Sequence, residues 1–414
     1  MASFDIGWVR EQFPSLARKV NGHPAAFLDA PAGSQVPRQV MDAVRNYYEQ
    51  SNANTYGAFE TSRQTDAAIA AARRAMADFL NCGPEEICFG PNMTTLTFAL
   101  ARSIGRTLSP GDEIVVTALD HDANVAPWRA LEERGVVVRQ VDFRPADCTL
   151  DLGDLRGKIS TRTRLVALGY ASNAVGTINP VAEIVHLAHA AGALAFVDAV
   201  HYAPHGLMDV RALDCDFLAC SPYKFFGPHQ GVLFGKAALL RSFAPYKVRP
   251  APDTIPERWE TGTQSHELLA GITAAVDYLA ELGRRIQPHA ATRRAALETA
   301  YAGIHEYELG LIRQMIPGLL DSRGLRLYGI SDLTRLSERV GTFGIRMDGR
   351  TPLQVATFLG DRGIFTWDGN YYAINLTERL GLESTGGLLR IGLVHYNTSE
   401  EVARLVAALR ELSP

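Results

Sequence analysis

The sequence predicts an α/β protein: a large domain built on a mostly parallel, seven-stranded-type sheet with helices on both faces, followed by a smaller C-terminal α/β domain. Three observations carry this prediction. Between about residues 80 and 240, short apolar runs rich in β-branched residues alternate with helical stretches at the spacing of βαβ units. Several of these runs end directly in polar, chemically capable residues, as in open sheets whose ligands lie beyond the carboxyl ends of the strands. After about Ser265 the texture changes to a long helical stretch followed by shorter alternating elements.

The strand candidates are Glu113–Thr117, Val136–Val141, Arg164–Gly169, Leu194–Asp198, Phe217–Cys220 and Val232–Phe234, each bounded by Gly, Pro, Asp or Ser. Helices are expected between them, over Ala123–Arg134 and Val181–Ala191. Farther on, Ala290–Leu320 reads as helical, with breaks near Gly303 and Pro317. The last helix is signed by a capping box, Thr398 with Glu401, ahead of Val402, Leu405, Val406 and Leu409 at helical spacing. We expect residues 1–22 to pack on the small domain, 23–275 to form the large domain and 276–414 the small one.

Composition narrows the function. With 414 residues, 47% of them hydrophobic, the chain can bury the cores of two or three domains. Its 41 basic and 45 acidic residues leave a net charge of -4, which supplies no field for holding nucleic acid or an anionic membrane. The start of the chain lacks an apolar signal core, and no apolar run approaches bilayer length, so a cytoplasmic protein is expected. Five cysteines, none in paired metal or redox spacing, read as reduced and structural.

Four segments follow strands or open helices and carry reactive groups. A strand running into Asp198 puts a carboxylate at a buried strand end, where it needs a cation or serves to cap the next turn. A protonated pyridine nitrogen is one such cation. Phe217–Cys220 opens into Ser221-Pro-Tyr223-Lys224-Phe-Phe-Gly, a lysine among aromatic residues; it is either a snorkelling surface lysine or a depressed amine suited to Schiff-base chemistry. Met93 and Thr94 open a helix whose free N–H groups make an anion site, to which Ser221 could add a donor; Thr94 could equally be a plain N-cap. Asp120-His121-Asp122 places an imidazole where it could stack on a flat ring or relay protons. No zinc ligand set and no Walker loop is present.

Taken in order, these segments resemble the cysteine desulfurase-like branch of the class V aminotransferase family, fold type I pyridoxal-phosphate enzymes. The likeness includes Phe27-Leu28-Asp29-Ala30, His121 through Trp128, Ser172-Asn173-Ala174-Val175-Gly176-Thr177, Phe196-Val197-Asp198 with His201, Leu213 through Phe217, Lys224, and Glu260-Thr261-Gly262-Thr263. By that resemblance Lys224 carries pyridoxal 5'-phosphate as a Schiff base and Asp198 pairs with the pyridine nitrogen. His121 stacks on the ring, and Asn173 with His201 faces the 3'-oxygen. Thr94 and Ser221 hold the phosphate, with Met93 and Tyr223 at positions where the family more often has threonine and histidine. Thr263 reaches the phosphate of a neighbouring subunit, which implies a homodimer with shared sites. Arg390 matches the arginine that grips a substrate carboxylate.

Two departures matter. The stretch Ile364–Ala373 lacks the loop cysteine that attacks substrate sulfur in desulfurases, and Thr55-Tyr56-Gly57 replaces a His-Arg-Gly near the substrate. Trp367, Asn370, Tyr371 and Tyr56 are expected on the substrate side. The resemblance therefore implies an enzyme acting on a small α-amino acid through an external aldimine and Cα deprotonation, with lyase chemistry foremost. Transamination, epimerisation and aldol cleavage stay open, as does a non-catalytic binding protein on the same fold.

Overall fold

The computed structural model describes residues 4–412; residues 1–3 of the expected N-terminal segment lie outside the described residues. Seven strands form the large sheet: β1 (Ile87–Gly90), β2 (Glu113–Thr117), β3 (Val137–Val141), β4 (Thr163–Gly169), β5 (Leu194–Asp198), β6 (Phe217–Cys220) and β7 (Gly231–Gly235). Their order is β1-β7-β6-β5-β4-β2-β3. All neighbours are parallel except β7, which runs antiparallel to both β6 and β1. The strand β1 carries no expectation from sequence: it is four residues long, with Cys88 and Gly90 in place of β-branched signals.

Period-two alternation explains why these runs read as continuously apolar. In β4, Leu165 and Ala167 face one core while Val166 and Leu168 face another; in β5, Phe196 faces the first and Ala195 and Val197 the second. Both faces are covered. The helix α1 (Met93–Gly105) sends Leu96, Leu100 and Ile104 into the first core, with Trp128 beside them. The second core receives α2 (Val181–Ala190) and α3 (His266–Ile286).

Two helix expectations need correction. The stretch expected as one helix over Ala123–Arg134 is three short turns, Asp122–Asn124, Ala126–Arg129 and Ala130–Arg134, because buried Asn124 is tied to Asp120 (2.9 Å) and Pro127 cannot donate. The helix α4 (Arg293–Leu320) runs unbroken through Gly303 and Pro317, because its face of Ile304, Leu311, Ile312, Met315, Ile316 and Leu319 is buried and packing overrides propensity. The domain edge expected between 275 and 276 falls inside α3; the apolar contacts of α4 change from one core to the next between Ile304 and Leu311.

The C-terminal part is a four-stranded antiparallel sheet of β8 (Leu325–Tyr328), β9 (Thr342–Met347), β10 (Trp367–Gly369) and β11 (Leu388–Gly392), in the order β8-β9-β11-β10. The last helix, α5 (Ser399–Leu412), starts on the expected box: Glu401 N–H donates to Thr398 Oγ1 and Thr398 N–H to Glu401 Oε2, both at 3.3 Å. The N-terminal segment touches both parts rather than the small domain alone. Phe13 packs edge-on to Phe226 and Tyr278 as well as Tyr396, while Arg10 pairs with Glu401 at 2.9 Å.

Candidate active site

The carboxyl ends of β1, β2, β4, β5 and β6 open on one edge of the sheet, and the residues just beyond them enclose a cavity. Met93, Thr94, His121, Asn173, Asp198, His201, Tyr223 and Lys224 all line it, joined by Asp120. Five separate connections thus converge on one space. Ser221 is buried three residues before Lys224 and is not among the lining residues.

Lys224 is held by a turn whose N–H donates to Ser221 O at 3.0 Å, and its Nζ donates to the carbonyl of Pro31. Burial, aided by the Arg390 charge, lowers its pKa to about 7. Asp198 shows the converse: burial raises it to about 6 against the opposing pull of the Val200 N–H, which donates to Oδ1 at 2.9 Å, and of Lys224. Each group is thereby poised for a partner that the opposite one only partly supplies.

His121 accepts from Ala123 N–H through Nδ1 at 3.0 Å, and burial lowers its pKa to about 4, so the ring is neutral at physiological pH. Behind it lies Asp120, raised to about 7 by burial although it accepts from Gly169 N–H (2.8 Å), Thr117 (2.9 Å) and Asn124 (2.9 Å). The helix α1 is capped by Asn92, whose Oδ1 accepts from Thr95 N–H at 2.8 Å. Thr94 is therefore not the cap, and it stands with Met93 in the first turn, where unpaired N–H groups and the helix dipole favour an anion. Gly231 permits this placement: a Cβ there would lie 2.4 Å from the Asn92 carbonyl carbon.

Arg390, on β11, is buried; its Nη1 donates to Asn173 O at 3.0 Å and its guanidinium lies 4.2 Å over the Tyr371 ring. Asn173 Nδ2 donates to Tyr371 O at 3.0 Å. Trp367 is the cross-strand partner of Arg390, so the two side chains share one face of the small sheet; Trp367 is 51% exposed, and neither residue is among those lining the cavity. Tyr371 and Tyr372 have φ of 56° and 60°, a left-handed pair uncommon for aromatic residues. That backbone lets Tyr371 turn under Arg390 while Tyr372 stacks on His121, with centroids 5.3 Å apart.

The remaining expected residues lie elsewhere. Asn370 braces the loop, donating to Glu383 at 2.8 Å and accepting from Tyr372 N–H at 3.0 Å, and does not line the cavity. Tyr56 and Thr263 share a separate groove with Arg73, Glu257 and Glu260. Tyr372, Asp120 and Asp29 belong to the site without having been singled out for it. Asp29, raised to about 6 by burial, senses both Arg390 and Lys224. The signal for Asp29 was present in Phe27-Leu28-Asp29, a carboxylate at the end of an apolar run.

Several buried polar atoms here have no hydrogen-bond partner among the described residues: Asn173 Oδ1, His201 Nδ1, Arg390 Nε and Asp29 Oδ1. Such atoms cost about 1–3 kcal/mol each when left unpaired. The set fits pyridoxal phosphate. A pyridinium would compensate Asp198, polar ring substituents would meet His201 and Asn173, a phosphate would meet the first turn of α1, and the carbonyl carbon would meet the Lys224 amine.

Comparison with known proteins agrees with this fit. Residues 26–405 match the model of the family described as Aminotransferase class-V. A cysteine desulfurase of Serratia proteamaculans (strain 568) is 35% identical, covering 99% of this chain and 98% of that protein. A probable cysteine desulfurase of Synechocystis is 32% identical over 97% of this chain and 94% of that protein. Among solved structures, the apo cysteine desulfurase from Thermococcus onnurineus NA1 superposes with a TM-score of 0.88 at 27% identity, covering 100% of this chain and 99% of its own. The cysteine desulfurase CsdA (S-sulfonic acid) from Escherichia coli gives 0.84 at 27% identity, with 100% of both chains covered. Among the described residues no helix is long and apolar enough to cross a membrane, and no cluster of His, Cys, Asp and Glu could hold a metal.

Proposed function

Because the chain belongs to the class V aminotransferase family and is thus a pyridoxal-phosphate-dependent enzyme, we propose that it is a C–S lyase acting by β-elimination on cysteine or an S-substituted cysteine. When bound, the cofactor supplies an electron sink that lets a bond at Cα break. One observation carries the choice of elimination over sulfur transfer to the chain. The loop over the cavity presents Tyr371 and Tyr372 with no thiol; Cys88, Cys148, Cys215 and Cys220 are buried, and half-buried Cys82 lines a separate groove with Arg74 and Asp78.

The residues divide the work. With the cofactor bound, the Asp198 carboxylate would stand beside the pyridine nitrogen and keep it protonated. Neutral His121 would stack on the ring, His201 and Asn173 would meet the ring oxygen, and Met93 and Thr94 would receive the phosphate. Arg390 retains Nε and Nη2 for the substrate carboxylate, since Nη1 is committed to Asn173. Lys224, about half neutral near pH 7, takes the Cα proton once it is free. The Cβ–S bond then breaks with its electron pair going to sulfur, which leaves as a thiol or sulfide; addition of water yields pyruvate and ammonium.

Tyr372, exposed and stacked on His121, would favour an apolar substituent on sulfur. The family resemblance supports a homodimer in which Thr263, in the groove it shares with Tyr56, would serve the partner's phosphate site. Five unpaired cysteines, four of them buried, support a reducing, cytoplasmic compartment. The test is product analysis with cysteine and S-methylcysteine. Equal amounts of thiol or sulfide, pyruvate and ammonium are expected; alanine with persulfide, or accumulation of the pyridoxamine form, would overturn the reading.

A further inference from the structure

Behind the cavity lies a buried pair for which the reaction above has no use. After β5 the chain turns through residues 199–206, a turn closed by Ala203 N–H to Ala199 O and His205 N–H to Tyr202 O, both 2.9 Å. The helix α4 grips this turn twice from one face, two helical turns apart. Tyr301 hydroxyl donates to Ala203 O at 2.7 Å, and Glu308 Oε2 lies 2.7 Å from His205 Nδ1. Both side chains of the Glu308–His205 pair are 4% exposed.

Among the described residues His205 is the basic side chain that bonds Glu308; His305 and Arg339 line the same cavity without doing so. His205 is faced by His201 from its own turn, by Tyr301 and Glu308 from α4, by His395 from the C-terminal segment, and by Tyr202, His305 and Arg339 around a small cavity. The Arg339 guanidinium is committed to the carbonyls of Ile330, Val340 and Thr342. Glu308 Oε1 has no partner among the described residues. A buried carboxylate of this kind is stable beside a protonated imidazole and costly beside a neutral one. The His205 ring in turn meets the edge of His201, with centroids 5.6 Å apart. His201 is fixed on its far side by Thr342 Oγ1, 3.0 Å from Nε2, and its unpartnered Nδ1 belongs to the cavity shared with Lys224 and Asp198.

We propose that Glu308 and His205 are positioning residues for the bound cofactor. Glu308 holds a charged imidazolium on His205, and His205 backs His201, whose Nδ1–H donates to the ring oxygen of pyridoxal phosphate. The charge behind His201 favours an anionic ring oxygen. The inference rests on the assignment of His201 to that oxygen.

The test reads the visible band of the holoenzyme against pH, in the wild type and in Glu308→Gln, Glu308→Asp, His205→Gln and His201→Gln. Loss of an ion pair whose positive end lies nearer the ring oxygen, with ends at roughly 10 and 14 Å and an effective dielectric of about 20, moves the midpoint by about a third of a pH unit. Glu308→Gln and His205→Gln should each move it upward by about that amount, the double variant no farther than either alone, and Glu308→Asp should restore most of the wild-type value. If His201→Gln moves the midpoint and the other two variants do not, the pair is structural and the proposal falls. An unmoved midpoint in His201→Gln overturns it at the underlying assignment. Should the Glu308 variants fail to fold, the imidazole 15N shifts of His205 in the wild-type holoenzyme decide: a neutral pattern at neutral pH refutes the proposal.

Discussion

Replacing Lys224 with methionine removes a charge that the fold accommodates badly. Burial lowers the amine from its ordinary 10.5 to about 7, and a fall of that size corresponds to roughly 5 kcal/mol. The sign follows from linkage. Above pH 10.5 the lysine is neutral in both folded and unfolded chains and costs nothing. As the pH falls, the unfolded chain takes up a proton that the folded chain refuses, and the cost grows until it is complete near pH 7. Methionine, of similar volume and apolar, avoids it. Part of the gain is lost because Pro31 O loses its donor, so about 2–4 kcal/mol should remain at pH 7 and none at pH 10. Urea unfolding of cofactor-free wild type and Lys224→Met at the two pH values measures both. A variant less stable than wild type at pH 7, or a difference independent of pH, would refute the picture of a buried, depressed amine.

Reloading of the apoenzyme should quicken as the pH rises through about 7 and level off above it; a rate still climbing toward pH 10 would mean an ordinary lysine. Asp198→Asn should lower turnover by about a hundredfold or more while the protein still folds, as read by steady-state kinetics beside circular dichroism. Arg390→Lys keeps the charge but loses the planar fork, so kcat/KM for amino acids should fall at least about tenfold, with little change for cofactor binding measured by fluorescence. At the far end of the chain, Thr398→Ala should cost about 1 kcal/mol in urea unfolding through loss of the α5 cap.

The sheet was legible because its strands are buried on both faces: β2, β4, β5 and β6 read as apolar runs whatever the register, and β5 ends in a carboxylate that needs a partner. That logic pointed to Asp198 and His121 but left Asp198 open as a turn cap, and the family resemblance decided between the readings. The same logic could not place Lys224, since a lysine between aromatic residues is compatible with the surface until the cavity is seen to close around it. Long-range contacts hid the rest. Whether Gly303 and Pro317 interrupt α4 depends on the core its face meets, which lies outside any local window. Asn370 looked like a wall residue by position, yet Glu383, thirteen residues on, draws it away. Tyr372 reaches His121 only through left-handed backbone at two successive tyrosines, a conformation no propensity suggests. Glu308 would have passed as a solvated helix residue; only the turn after β5 reveals why it is buried.

The central claim, that Lys224 anchors pyridoxal phosphate, is tested most directly by borohydride reduction of the purified holoenzyme followed by peptide mass analysis. The visible band should bleach, and one peptide should gain the mass of a reduced phosphopyridoxyl group, fragmenting with the added mass on Lys224. Label on any other lysine, or none after cofactor saturation, would contradict the account.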